Sequence, residues 1–144
     1  MTCIVQLVGP SGSGKTTVIV SVSRRLKSLG FKVAVVKHTH HHVDVPGKDS
    51  WRFIEEGGAD YAIVFKGSGE RIATFTKDKS LEELIKEATN KVDVILVEGF
   101  KDLKIGHRIE LTRGEDTTRI VEEAINHLVK CLESKPRENL NTPT

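Results

Sequence analysis

Gly9-Pro10-Ser11-Gly12-Ser13-Gly14-Lys15-Thr16 is the stretch on which the fold turns. It fills the phosphate-binding spacing G-x-x-x-x-G-K-[ST] in full. Glycines let successive backbone N–H groups converge on one centre without a Cβ in the way. The loop opens a helix, whose first N–H groups and dipole favour an anion. Lys15 suits the β- and γ-phosphates, and the Thr16 hydroxyl is a hard-oxygen ligand for Mg²⁺. A glycine-rich turn that binds nothing is the competing reading. The apolar run Cys3–Val8 before the loop and the helical spacing after it supply the context that the binding reading requires. The motif therefore predicts nucleoside-triphosphate binding on Gly9, Ser11, Gly12, Ser13, Gly14, Lys15 and Thr16.

Outward from the loop, the chain alternates strands and helices. Val18, Val22, Leu26 and Leu29 repeat at helical spacing up to the stop at Gly30, and Phe31–Val36 reads as a second buried strand. These three elements form a βαβ unit with a parallel pair. A short helix is expected from Asp49 to Glu56, then a strand at Tyr61–Phe65 and an alternating strand at Arg71–Thr76, joined as a hairpin. Ser80 and Glu83 form a capping box for a helix carrying Leu81, Leu84, Ile85 and Ala88. Val92–Val97 is the most hydrophobic strand and belongs at the centre of the sheet. His107–Thr112 reads as an edge strand, and Val121, Ile125, Leu128 and Leu132 stripe a last helix. The fold class is α/β: a P-loop three-layer sandwich with a mostly parallel sheet and an antiparallel hairpin strand. We expect one nucleotide-binding domain over 1–133 and a flexible tail over 134–144.

The chain has 144 residues, with 22 Lys plus Arg against 20 Asp plus Glu, a formal net charge of +2. That balance argues against nucleic acid as a partner, and no apolar run is long enough to span a membrane. No basic segment followed by an apolar one opens the chain, so no secretory leader is expected. With only 2 cysteines, Cys3 and Cys131, no disulfide framework is expected; both read as core residues in a reducing compartment, the cytoplasm.

Glu98, at the C-terminal end of Val94-Ile95-Leu96-Val97, is the second half of the site. A carboxylate there holds Mg²⁺ or a water on it. Lys15 and Glu98 are the candidate catalytic residues, and Thr16, Asp44, Asp49 and Glu98 the candidate metal ligands. Asn90-Lys91-Val92-Asp93 spells the guanine-reading pattern but precedes a strand, which puts it on the wrong edge of the sheet. The run Lys37-His38-Thr39-His40-His41-His42 follows a strand on the ligand-binding edge. If the strand continued, His38, His40 and His42 would share a face. Three readings stand: a zinc or nickel site, a contact with nucleotide or partner (Lys37, His38, His40, His41 and His42), or a solvated loop. His107 and His127 read as isolated.

Three blocks together resemble the MobB family, molybdopterin-guanine dinucleotide biosynthesis protein B. They are Gly9–Thr17, then Val36–His41 with Asp44 and Pro46–Ser50, then Leu96–Lys101. The resemblance covers Cys3 to Leu132. It implies GTP as the nucleotide, with phosphate contacts over Gly12–Thr17, Thr17 included. It implies weak GTPase activity, a homodimer, and an adapter role toward the guanylyltransferase that acts on the molybdopterin cofactor. One departure stands out: family members usually carry a further strand and loop before the last helix, whereas here Lys101 and Glu115 are close in sequence. Two rival functions remain, a small-molecule P-loop kinase and a metal-delivery GTPase using the histidine run. No Arg-rich lid segment is evident for the former.

Overall fold

The structure is a computed structural model that describes residues 2–135. Of the expected tail, everything beyond Lys135 lies outside the described residues. The described residues divide into two compact units, one built from residues 2–38 and 85–135, the other from residues 39–84.

The first unit holds a parallel sheet. Its strands are β1 (Cys3–Val8), β2 (Val33–Lys37), β5 (Val94–Glu98) and β6 (His107–Glu110), in the order β2-β5-β1-β6. The expected β1–β2 pair is not a direct one, because β5 lies between them. Residues Val94 to Val97 are buried on both faces of the sheet, which is where the most apolar strand loses most surface to water. The edge strand read at His107–Thr112 is present as β6, parallel to β1.

Cys3, Val5 and Leu7 alternate along β1 and share one core with Val94 and Leu96. Against them pack Val18, Ile19, Val22 and Leu26 of α1 (Lys15–Ser28) and Ile120, Ala124, Ile125 and Leu128 of α4 (Thr117–Glu133). Asp116 caps α4 by accepting from the Thr118 N–H at 3.0 Å.

Gln6 points to the opposite face and is fully buried. There the chain passes from β5 to β6 through the loop 99–106, with no helix in the crossover. The inner side of this loop has backbone groups without ladder partners, and the buried Gln6 supplies them. Its Nε2 donates toward the carbonyls of Gly99, Phe100 and Leu103 at 3.0, 3.0 and 2.9 Å. Its Oε1 accepts from the Ile105 N–H at 3.0 Å. Arg108 adds donors to the carbonyls of Lys101 and Leu103.

The two cysteines are joined. Cys3, at the start of β1, and Cys131, on α4, form a disulfide with Cα atoms 5.9 Å apart. This corrects the reading of two free core thiols: both were placed facing the core, and the fold brings those positions together. Cysteine usage accordingly gives no argument for a reducing compartment. The histidines read as isolated also meet: the rings of His107 and His127 stack at 4.0 Å.

The second unit contains α2 (Asp49–Glu55) and a two-stranded antiparallel sheet of β3 (Ala62–Lys66) and β4 (Arg71–Phe75). The hairpin is as read, but it forms its own sheet. Ala62, Ala73 and Phe75 lie on its covered face; Ile63, Phe65 and Ile72 lie on the other and are 66%, 57% and 56% exposed. α3 (Leu81–Thr89) leads back to the first unit, and Ser80 Oγ caps it by accepting from the Glu83 N–H at 3.1 Å. Its apolar positions are half-buried or exposed rather than core.

Three outcomes follow from this packing. Gln6→Met keeps the bulk but orphans the loop carbonyls; it should cost about 2–4 kcal/mol in urea unfolding and speed hydrogen exchange at the Ile105 amide. Opening the disulfide, by reductant or by Cys131→Ser, should lower stability by about 2–4 kcal/mol, and reductant should then do nothing further to the variant. The His127 pKa is lowered, first by burial, then by the neighbouring His107 and Lys130 charges; Glu123 faces His107 at 3.6 Å. Its neutral form is favoured in the folded state, so the unfolded chain takes up the proton first. Stability from this group is complete above the ordinary value of 6.5 and falls as pH drops below it. His127→Gln should flatten that fall, measured by urea unfolding at several pH values.

Candidate nucleotide-binding site

The loop 9–14 joins the C-terminal end of β1 to the N-terminus of α1. Gly12 and Gly14 have φ of 77° and 99°, left-handed values that a Cβ disfavours. Gly14 is the N-cap of α1, no side chain caps the helix, and no acidic residue lies in its first turn. The leading N–H groups of α1 are thus presented without an internal acceptor, as a phosphate cradle requires. Gly9 is needed for space: a Cβ there would stand 2.6 Å from the Leu111 carbonyl oxygen and 2.8 Å from Ser13 Oγ. Ser13 is buried, and its hydroxyl has no hydrogen-bond partner. Lys15 folds back over the loop and donates to the carbonyls of Gly9 and Pro10 at 2.5 and 3.0 Å. Ser11, Thr16 and Thr17 are exposed. The glycines of the motif thus stand where left-handed backbone or close packing requires them.

Glu98 ends the strand beside β1. It stands in register with Leu7 on one side and Lys37 on the other. Register partners in a parallel sheet share a face, and Leu7 faces α1, so Glu98 and Lys37 rise on the α1 side. The acid is therefore one strand from the glycine loop, on the face from which α1 begins. Gly99 follows at φ 93°, and a Cβ there would press on His38 Cβ at 3.2 Å. Phe100 adopts a left-handed φ of 57° and stacks on the His38 ring at 4.5 Å. The His38 N–H donates to the Glu98 carbonyl at 2.9 Å, which locks the two strand ends together.

The histidine run does not extend β2, which ends at Lys37. The shared face of His38, His40 and His42 is therefore not built. Lys37 and His38 belong to the first unit; His40, His41, His42, Asp44 and Asp49 belong to the second. Within that unit, Asp44 accepts from the Ser50 hydroxyl at 2.7 Å, the His41 N–H donates to Thr39 Oγ1, and Asp49 begins α2. Among the described residues, no group of three or more His, Cys, Asp or Glu could hold a metal ion. The decoy Asn90–Asp93 lies before β5, with Asp93 accepting from the Lys32 N–H at 2.8 Å at the far edge of the sheet.

Sequence reading missed Gln6 and Arg113. Gln6 was visible only as a polar break in an apolar strand. Arg113 donates to the Ser11 carbonyl at 3.1 Å across the sequence, a contact with no local signal.

Hard oxygens from Thr16 and Glu98 suit Mg²⁺, and the uncapped helix start with Lys15 suits a polyphosphate. No helix among the described residues is long and apolar enough to cross a membrane.

Comparisons with known proteins bear on the family and the fold. The family model described as molybdopterin guanine dinucleotide synthesis protein B matches residues 4–131. A molybdopterin-guanine dinucleotide biosynthesis adapter protein of Escherichia coli is 36% identical over 91% of this chain and 77% of its own length. One from Haemophilus influenzae is 39% identical over 74% of this chain, which spans 64% of that relative's length. Among solved structures, Bacillus subtilis MobB aligns with a TM-score of 0.59 at 26% identity, over 82% of this chain and 72% of that one. A MobB homologue from Bacillus stearothermophilus aligns with a TM-score of 0.55 at 24% identity, over 83% and 70%. The chain belongs to the MobB family.

Proposed function

We propose that this chain is a Mg²⁺-dependent GTP-binding adapter in molybdenum cofactor biosynthesis, assisting the guanylyltransferase that makes the guanine dinucleotide form of the molybdopterin cofactor. The adapter role rests on the family and on the relatives that carry that name. Nucleotide binding rests on one observation above all: α1 begins uncapped at a glycine loop one strand from Glu98. In this reading Gly9, Ser11, Gly12, Ser13 and Gly14 line the phosphates with Thr17, and Lys15 exchanges its loop carbonyls for phosphate oxygens. Thr16 and Glu98 hold Mg²⁺, which neutralises phosphate charge when bound. Asp44 and Asp49, within the second unit, remain candidate oxygen donors, and Lys37, His38, His40, His41 and His42 candidate contacts with nucleotide or partner. Hydrolysis is slow, since the chain's one glutamine, Gln6, is buried on the opposite face of the sheet and occupied by the 99–106 loop, so it does not position a water at Glu98. We place the nucleotide-binding domain within 1–133 and its work in the cytoplasm.

A homodimer completes the second unit. A lone two-stranded sheet is marginal in water, and here Ile63, Phe65 and Ile72 form an uncovered apolar face. A second copy of the same face, related by a two-fold axis, covers it without new chemistry.

Fluorescent GTP and ATP analogues, each titrated with and without Mg²⁺, test the binding reading. GTP should be preferred, with Mg²⁺ strengthening it. Lys15→Ala should lower triphosphate affinity by at least tenfold, about 1.4 kcal/mol, with the thermal midpoint unchanged; retained affinity removes the reading. Glu98→Gln should weaken the Mg²⁺ dependence more than the metal-free affinity. Phe65→Glu should shift sedimentation from dimer to monomer, and a monomeric parent chain would refute the dimer.

A further inference from the structure

The segment after β6 runs along the glycine loop and touches it at successive points. The Leu111 carbonyl occupies the space a Cβ on Gly9 would need, at 2.6 Å. Arg113 Nε donates to the Ser11 carbonyl at 3.1 Å. Thr117 Cγ2 stands 2.7 Å from where a Cβ on Gly14 would lie. The turn 111–117 is thus a wall of the cradle. It is braced from within, Thr112 Oγ1 meeting Glu115 Oε1 at 3.1 Å and Arg119 lying 4.0 Å from Glu115.

Sheet order gives that wall a role. β1 is flanked by β5 on one side and β6 on the other. Glu98 ends β5, so the metal and the terminal phosphate belong on that side. A nucleotide stretched across the loop then carries its sugar and base toward the β6 side, over the 111–117 turn. Arg113 is exposed there, anchored through Nε, and its remaining N–H groups have no partner among the described residues. An anchored guanidinium loses little rotamer freedom on binding, and its plane stacks on aromatic rings where a lysine cannot.

We propose that Arg113 is the nucleoside-side contact of the site, its guanidinium lying against the sugar and base of a bound purine nucleotide. The proposal rests on the nucleotide-binding reading above and assigns the other half of that site.

Calorimetric titration of GTP, GDP and inorganic tripolyphosphate against the parent chain, Arg113→Ala and Arg113→Lys tests it. Arg113→Ala should weaken GTP and GDP alike, roughly tenfold for a desolvated cation–π contact, and leave tripolyphosphate affinity unchanged. Arg113→Lys keeps the charge without the plane and should recover little. Equal loss of tripolyphosphate and GTP would overturn the proposal, since it would make Arg113 a phosphate contact or a loop brace. So would a loss confined to GTP, or no loss at all. A parent chain that binds none of the three ligands would sink the nucleotide reading itself, and a parent chain that binds them while Arg113→Ala matches it would sink this proposal alone.

Discussion

The buried amide of Gln6 is the constraint on which the first unit depends. Parallel strands need a long crossover, and a helix usually provides it because a helix satisfies its own backbone. Between β5 and β6 the chain uses the loop 99–106 instead. That loop is possible because one side chain on β1 answers the backbone groups of Gly99, Phe100, Leu103 and Ile105. The short crossover delivers β6 to the free side of β1, and β6 delivers the 111–117 turn to the glycine loop. The same amide fixes the turn immediately after Glu98, where Phe100 is held left-handed against His38. One polar residue in an apolar strand thus governs both flanks of the site.

Electrostatics at the site are arranged by omission as much as by charge. No side chain caps α1, and no acid sits in its first turn. The partial positive charge of the helix start is left for an external anion. Lys15 has only neutral carbonyls as partners, which a phosphate oxygen outcompetes because charge-assisted bonds are stronger. Glu98 is kept off the helix axis, one strand away, where its charge does not cancel that of the helix start.

Much of this was legible from residue order. The glycine loop, its flanking strand and helix, the central placement of β5, the capping of α3 by Ser80 and the edge strand at β6 all follow from local pattern. The place of Glu98 at the C-terminal end of β5 was legible because the apolar run before it ends there. What was not legible is non-local. Nothing near Cys3 names Cys131 as its partner. Nothing near Arg113 names Ser11. The insertion of β5 between β1 and β2 is a choice of strand order, which hydrophobic pattern does not encode. The shared face of His38, His40 and His42 depended on β2 running past Lys37, where the backbone leaves the ladder.

The position of β1 in the sheet has a consequence for the growing chain. β1 precedes its ladder partners, Val94 to Glu98 and His107 to Glu110, and its disulfide partner, Cys131. Every long-range hydrogen bond of its backbone waits for residues from Asp93 onward. The hairpin of β3 and β4, by contrast, pairs residues that are neighbours in time. Nascent chains therefore carry β1 as an unpaired apolar strand while the residues between it and β5 are made, and the polar Gln6 at its midpoint breaks that run of sticky surface.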